Sequence, residues 1–312
     1  MESPLEIVIF SFNRGTLLEN CVRSARRASA EAKITIVDDA SDNQETKAIL
    51  RELSEQNNVK VLRMNENEKS AYGGLHANMS EFFKQKHHSE FVFFLQDDMQ
   101  FIRRITKDDY SLLRDWFAYD KRSVFVFPTM RKKYADLESN RLFKESTAPL
   151  LRRISRKPYA GFSDVTIINS ARLKRSSFVF QDSELKTSCH AEELFGTMAE
   201  IKIPLVAHNP SPMTFRRGRD TLSHAFWAKK HAGCFPILQL SQEKIRAIEL
   251  LYPDAVAIAE QFLECPSYGP HPWPVFRMGF APPWLRSLDR LELAFLGLFE
   301  RFKTLSTRIY RP

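Results

Sequence analysis

The stretch Glu90–Met99, EFVFFLQDDM, carries an apolar run straight into two adjacent carboxylates. Glu90–Leu95 reads as a short buried strand, and the polar residues after it mark the end of that strand at a sheet edge. The same pattern recurs on both sides. Leu5–Phe12 (LEIVIFSF), Lys33–Val37, Val59–Leu62 and Val124–Phe127 read as further strands. Amphipathic stretches separate them. Thr16 is a predicted N-cap for a helix with Leu17, Leu18, Cys21, Val22 and Ala25 on one face, and Asp42 or Thr46 opens a second with Ile49, Leu50 and Leu53 inward. Helices are also predicted over Gly74–Lys86 and near 108–120. Strands alternating with helices predict an α/β fold around a mostly parallel sheet.

The rest of the chain is less regular. Residues 129–160 read as a long loop region, followed by a strand at Phe162–Ile168, a helical turn at Ser170–Arg175, a helix at Ala191–Ala199 and a strand at Ile201–Ala207. From about 215 the texture changes to predicted helices at Thr221–His231 and Ser241–Leu263, a proline- and aromatic-rich segment at 264–284, and an amphipathic helix at Ser287–Ile309. The chain therefore divides into residues 1–214 and an extension, 215–312. The extension's last helix, with basic residues flanking its apolar face, is expected to pack on the core or to join two copies as a homodimer; contact with an anionic membrane is the competing use.

Composition narrows the functional classes. With 312 residues, 43% of them hydrophobic, the chain can bury a large core, and it has no 18-residue apolar run that would span a bilayer. Its first residues form no secretory leader, so a cytoplasmic location is expected, with peripheral contact at the inner face of the membrane as a variant. The four cysteines, Cys21, Cys189, Cys234 and Cys265, have neither zinc-finger nor disulfide spacing. Net charge is +8, and residues 131–157 hold nine basic side chains against three acidic ones. That excess suits a phosphate-bearing partner, or simply a solvated loop. Nucleic acid is not expected, because no nucleic-acid-binding motif accompanies the charge. A dinucleotide-dependent oxidoreductase would need a GxGxxG turn after the first strand, where SFNRGT stands instead.

Ligands of parallel α/β sheets bind beyond the carboxyl ends of the strands. Asp38-Asp39 and Asp97-Asp98 both occupy such places, and carboxylates gathered at one edge repel one another unless a cation neutralises them. Oxygen ligands without thiolates point to Mg²⁺ or Mn²⁺. Asp108-Asp109, at a helix start, is read as structural. So is Cys189-His190, whose side chains point apart on an extended chain.

Taken in order, these residues resemble a family: the nucleotide-sugar-dependent glycosyltransferases of family 2, which have the GT-A fold. LEIVIFSFNR at 5–14 resembles the family's first strand and its Tyr-Asn-Arg type turn. IVDDAS at 36–41 resembles its Val-Asp-Asp-Gly-Ser motif, and NENEKSAYGGLHAN at 65–78 its glycine-containing loop. LQDDM at 95–99 corresponds to the DXD metal motif, with Gln96 in place of the first carboxylate. Gly161-Phe162 resembles the acceptor-side glycine turn, Ala191-Glu192-Glu193 the xED motif with Glu for the final Asp, and Ala207-His208 the histidine after the last core strand.

The resemblance implies a mixed, mostly parallel sheet flanked by helices and an inverting transfer from a nucleotide diphosphate sugar, UDP-sugar favoured, to a hydroxyl acceptor. That acceptor would be a glycan or lipid-linked saccharide in polysaccharide biosynthesis. Asp98 and His208 would hold the metal, Mn²⁺ or Mg²⁺. Glu193 would be the general base. Asp39 would hold the nucleotide base, Asp97 the ribose, and Phe10, Ser11, Phe12 and Arg14 would line the nucleotide cleft. Arg216, Arg217 and Arg219 could grip a diphosphate or a phosphorylated acceptor, and are equally read as solvated. The competing reading is a catalytically silent relative that binds a nucleotide or a partner, favoured by Gln96 and by Glu193 in place of Asp.

Overall fold

Strand β1 (Leu5–Ser11) is buried at every residue, because it lies in the middle of a sheet covered on both faces. It pairs in parallel with β2 (Lys33–Asp38) on one side and β4 (Phe91–Gln96) on the other, and β3 (Val59–Arg63) adds in parallel beyond β2. Alternate residues of β1 feed opposite cores, as the two-residue period of a strand requires. Leu5, Ile7 and Ile9 join one cluster with Leu18, Cys21 and Trp116, whereas Val8 and Phe10 join another with Met79, Phe82, Phe94 and Phe162. The computed structural model describes residues 3–64, 74–85, 89–131, 142–143, 150–153, 159–210, 233–251 and 257–268, and, near the C-terminus, 287–288, 291–292 and 294.

The other strands are short: β5 (Met99–Phe101), β6 (Phe125–Phe127), β7 (Leu142–Phe143), β8 (Leu151–Arg153), β9 (Thr166–Asn169), β10 (Ala199–Glu200) and β11 (Val206–His208). Among the described residues they complete a nine-stranded sheet of order β3-β2-β1-β4-β9-β6-β10-β8-β7, with a separate β11-β5 pair. β9 runs antiparallel to both β4 and β6, so the sheet is mixed. The helices are α1 (Gly15–Ala28), α2 (Gln44–Ser54), α3 (Leu75–Lys84), α4 (Lys107–Tyr119), α5 (Ser170–Arg175), α6 (Glu184–Phe195), α7 (Gln242–Leu251) and α8 (Ala259–Phe262).

Several expectations change. Arg14, not Thr16, occupies the N-cap of α1, and Thr16 lies in the first turn with its hydroxyl on Glu45, 2.6 Å away. Asn43 caps α2 through its side chain. The strand expected at Phe162–Ile168 shortens to β9, and Ile201–Ala207 narrows to β11. Part of the expected 129–160 loop forms the antiparallel β7-β8 pair. Within the helix expected at Ser241–Leu263 the described residues form α7 and α8, and residues 252–256 lie outside the described residues. Helix α6 begins well before the expected Ala191. Thr221–His231, the arginines at 216, 217 and 219, and most of 264–284 and Ser287–Ile309 lie outside the described residues.

The extension touches the core directly. Ile237, Leu240, Ile248 and Leu263 pack with Ile102, Met130 and Ala207, and the Leu240 amide donates to the Ile102 carbonyl at 2.8 Å. Among the described residues, no helix is long and apolar enough to cross a membrane.

Asp109 behaves structurally, as expected of Asp108-Asp109. It closes a capping box with Thr106 and accepts two hydrogen bonds from Arg103, at 2.8 and 2.7 Å, with both side chains buried. Burial alone would raise its pKa, but Arg103 and Thr106 outweigh that and hold it below the ordinary carboxylate value. The pair therefore stabilises the fold above the unfolded carboxylate pKa and is lost as pH falls. Asp109→Asn leaves Arg103 buried without its counter-charge, and urea unfolding at neutral pH should show a loss of roughly 3 kcal/mol. A loss within experimental error would refute this account.

Candidate active site

The parallel register brings three strand ends to one level: Ser11 lies beside Asp38, and Phe10 beside Gln96. The chain then turns sharply after β1. Asn13 adopts a left-handed conformation (φ 53°), its amide donates to the Ser41 hydroxyl at 2.9 Å, and its side-chain oxygen accepts the Asp42 and Asn43 amides at 3.0 and 3.1 Å. Asparagine tolerates this backbone region better than most residues and here locks the loop after β1 to the loop after β2.

That turn delivers Arg14 to the end of β4. Its Nη1 lies 2.9 Å from Asp97 Oδ1 and 3.4 Å from Asp98 Oδ2. The other Asp97 oxygen accepts the Ser11 hydroxyl at 2.9 Å and the Phe12 amide at 3.2 Å. Burial pushes Asp97 above the ordinary carboxylate range, Arg14 draws it back, and the adjacent Asp98 adds to the rise. For Arg14, burial opposes the charge, but Asp97 and Asp98 prevail and hold the guanidinium above its usual pKa.

The two residues of the Asp38-Asp39 pair diverge. Asp38 is fully buried, accepts the Ser41 amide at 3.0 Å, and lies 3.6 Å from Arg63 Nε. Asp39 faces a cleft, where Asn78 Nδ2 donates to it at 3.1 Å and the Gly74 amide approaches at 3.4 Å. The cleft has a volume of about 200 Å³ and is lined by Phe10, Ser11, Phe12, Arg14, Asp39 and Asp97, together with Gly74, Leu75, Asn78 and Gln96. All six residues expected to contact the nucleotide sugar therefore meet in one cleft.

Asp98 and His208 are brought together by the β11-β5 pair, in which His208 lies opposite Met99 and the Asn209 amide donates to the Asp98 carbonyl at 2.7 Å. His208 Nδ1 is 3.8 Å from Asp98 Oδ1. No group of three or more His, Cys, Asp or Glu side chains spaced to hold a metal is present among the described residues. The donor set of one carboxylate and one imidazole fits a hard divalent ion that takes its other ligands from phosphate and water.

Glu193 has a different setting from the one expected. It is exposed, in the last turn of α6 and not at a helix start, and it does not line the cleft. The start of α6 instead presents Glu184, capped by Ser183. Phe180, packed against Phe83, Phe94, Phe162 and Phe178, anchors the approach to this helix. Gly161 lies across α6, its amide 3.0 Å from the Ser188 hydroxyl, and a Cβ there would come within 2.3 Å of the Ser188 carbonyl. Three residues on, the Asp164 amide donates to Glu184 Oε1 at 3.1 Å. Asp164 Oδ1 is 3.0 Å from His76 Nε2, and its other oxygen accepts from Gln96 Nε2 at 3.5 Å. Burial and the charge of Asp164 push Glu184 up to about 7.

The family model for glycosyl transferase family 2 matches residues 6–176, which is over half of the chain. The chain belongs to this family. Its mixed, mostly parallel sheet between helices is the GT-A architecture of that family. No curated protein matches the sequence. Among solved structures, the mannosyltransferase PcManGT from Pyrobaculum calidifontis, in complex with GDP-Man and Mn²⁺, is 15% identical with a TM-score of 0.45, covering 74% of this chain and 63% of its own. GalNAc-T7 with UDP, GalNAc and Mn²⁺ is 15% identical with a TM-score of 0.45, over 65% of this chain and 43% of its own. The galactosyltransferase LgtC, in complex with donor and acceptor sugar analogs, is 13% identical with a TM-score of 0.37, over 61% and 64%. The chain thus spans less than two thirds of each of these structures.

Two tests follow from this geometry. A Cβ on Gly74 would lie 2.6 Å from Asp39 Oδ1. Gly74→Ala should therefore displace Asp39 and, on the nucleotide-binding reading proposed below, weaken nucleotide binding by about tenfold, or ~1.4 kcal/mol, in calorimetric titration, with the melting curve little changed. Wild-type affinity would remove Asp39 from that reading. For Glu184, a folded pKa of about 7 against the ordinary 4.5 means that folding favours the protonated form. Its contribution is fully present below the unfolded pKa and is lost as pH rises through about 7. Glu184→Gln should remove that part of the decline in Tm between pH 4.5 and 7.5, and an identical pH profile would refute the assignment.

Proposed function

We propose that the protein is an inverting glycosyltransferase that moves a sugar from a nucleotide diphosphate sugar to a hydroxyl of a glycan or lipid-linked acceptor. The observation that carries this reading is the cleft at the ends of β1, β2 and β4, which gathers Asp39, Asp97 and the Phe10–Arg14 turn. In this reading residues 1–214 form the catalytic domain, and residues 215–312 form an extension packed on it. Asp39 and Asn78 hold the nucleotide base, and Asp97, oriented by Ser11 and Arg14, receives the ribose.

Asp98 and His208 would hold Mn²⁺ or Mg²⁺ beside the diphosphate. When bound, the ion supplies Lewis-acid neutralisation of the leaving diphosphate. Arg14, beside both carboxylates, balances the charge of this edge.

Glu184 takes the acceptor's proton in place of Glu193. It stands at a helix start, linked through Asp164 to the cleft residue Gln96, and its ionisation near neutrality suits a general base. An attack opposite the departing diphosphate inverts the anomeric centre. UDP is the expected carrier.

The deciding experiment is a thermal-shift series with UDP, GDP, CDP and dTDP, each with and without Mn²⁺. Ligand at 100 times its Kd stabilises by about 2.7 kcal/mol, so a specific nucleotide should raise Tm measurably. The rise should require Mn²⁺ and vanish in Asp98→Ala. No shift with any nucleotide would favour the silent relative. Once a donor is found, Glu184→Gln should lower kcat by about 10³-fold, and wild-type kcat/KM should fall as pH drops below about 7. A fully active Glu184→Gln would remove Glu184 as the base, and equal loss in Glu193→Gln would restore the other candidate.

A further inference from the structure

Glu184 is met from two other segments of the chain. Among the described residues, those facing it are Asp164 and Ser163 from the segment before β9 and His76 from the first turn of α3; Asp182, just before its own helix, pairs with Lys186 at 2.8 Å. Asp164 sits at the centre. It meets Glu184 through its amide, His76 through Oδ1 and Gln96 through Oδ2. Two neighbouring carboxylates resist carrying two negative charges at once. Each Asp164 oxygen faces a hydrogen-bond donor, and Glu184 is the member that burial and the charge of Asp164 push up to about 7.

We infer that His76 is a positioning residue that acts through Asp164 on Glu184, and that Gln96 completes the arrangement from the donor side. The inference rests on the reading of Glu184 as the general base. It also accounts for Gln96, which departs from the family's acidic position. A carboxylate there would place a third acid against Asp164, 3.5 Å away, whereas the amide can donate to it. Helix α3 would thus serve both sides of the reaction: Asn78 holds Asp39 in the cleft, and His76, two residues earlier, holds Asp164. When protonated, His76 also supplies positive charge opposite Glu184.

The first readout is Glu184 itself and needs neither donor nor acceptor; transferase activity enters only to separate this inference from the base reading. The ¹³C resonance of the Glu184 side-chain carboxyl, assigned by its absence in Glu184→Gln, is titrated in the full chain. His76→Ala should move the midpoint up, because it removes the donor on Asp164 and the positive charge that a protonated His76 lends to Glu184. His76→Gln, which keeps a donor toward Asp164 but no charge, should fall between the two. Gln96→Glu, which adds an acid from the other side, should also raise the midpoint. Should His76→Ala not fold, the other two variants carry the test. Unchanged midpoints in the folded variants, with Glu184→Gln inactive as a transferase, overturn the positioning role alone. Shifted midpoints with a fully active Glu184→Gln remove the base reading, and the role of His76 in the reaction with it.

Discussion

Two adjacent carboxylates leave the end of β4 with little access to water, and their mutual repulsion must be met from within the protein. Arg14 meets it by reaching both Asp97 and Asp98, while the Ser11 hydroxyl and the Phe12 amide complete the shell of Asp97. A buried charge is tolerable only when it is paired and hydrogen-bonded, so the turn after β1 has to bring these groups to that point. Asn13 makes the turn possible, and by gripping Asp42 and Asn43 it ties the same point to the end of β2. The register sets three strand ends at one level, and the turn after β1 balances the charge gathered there.

The cleft and the cluster around Glu184 are supported in different ways. The cleft rests on the parallel register of β1, β2 and β4, which is rigid because each strand is covered on both faces. The Glu184 side rests on packing between segments distant in sequence. Gly161 lies against α6, the phenylalanines around Phe180 anchor the approach to that helix, and α3 contributes His76. Gln96 touches both sides, lining the cleft and donating to Asp164.

The cleft was legible in the sequence because strand ends are marked where an apolar run stops, and ligand-binding residues of such sheets follow those ends. Asp39 and Asp97 could be placed on that rule, and Phe10–Arg14 on the resemblance to the family's first strand and turn. Helix α6 could not, because its buried face is built from Thr187, Ser188, Ala191 and Phe195, so hydropathy leaves most of it without an apolar stripe. Only the acidic pair near its C-terminal end carries a signal, through its resemblance to the xED motif. The signal for the true start was local and fainter: Ser183, a favoured cap, followed by the acidic Glu184. Asp164 and His76 carried no signal, since one follows a glycine turn and the other sits in a helix far away in the chain.

By itself, then, the sequence determined the α/β alternation, the order of the strands along the chain and the chemistry gathered at their carboxyl ends. These depend on periodicity and on where apolar runs stop, and both are local properties. The tertiary structure decided which acid each element presents to the site. Asp38 turned inward and Asp39 outward, β11 set His208 beside Asp98, and Asp164, His76 and Glu184 met from three separate segments. Such meetings depend on strand pairing and helix packing across the whole domain, so no window along the chain contains them.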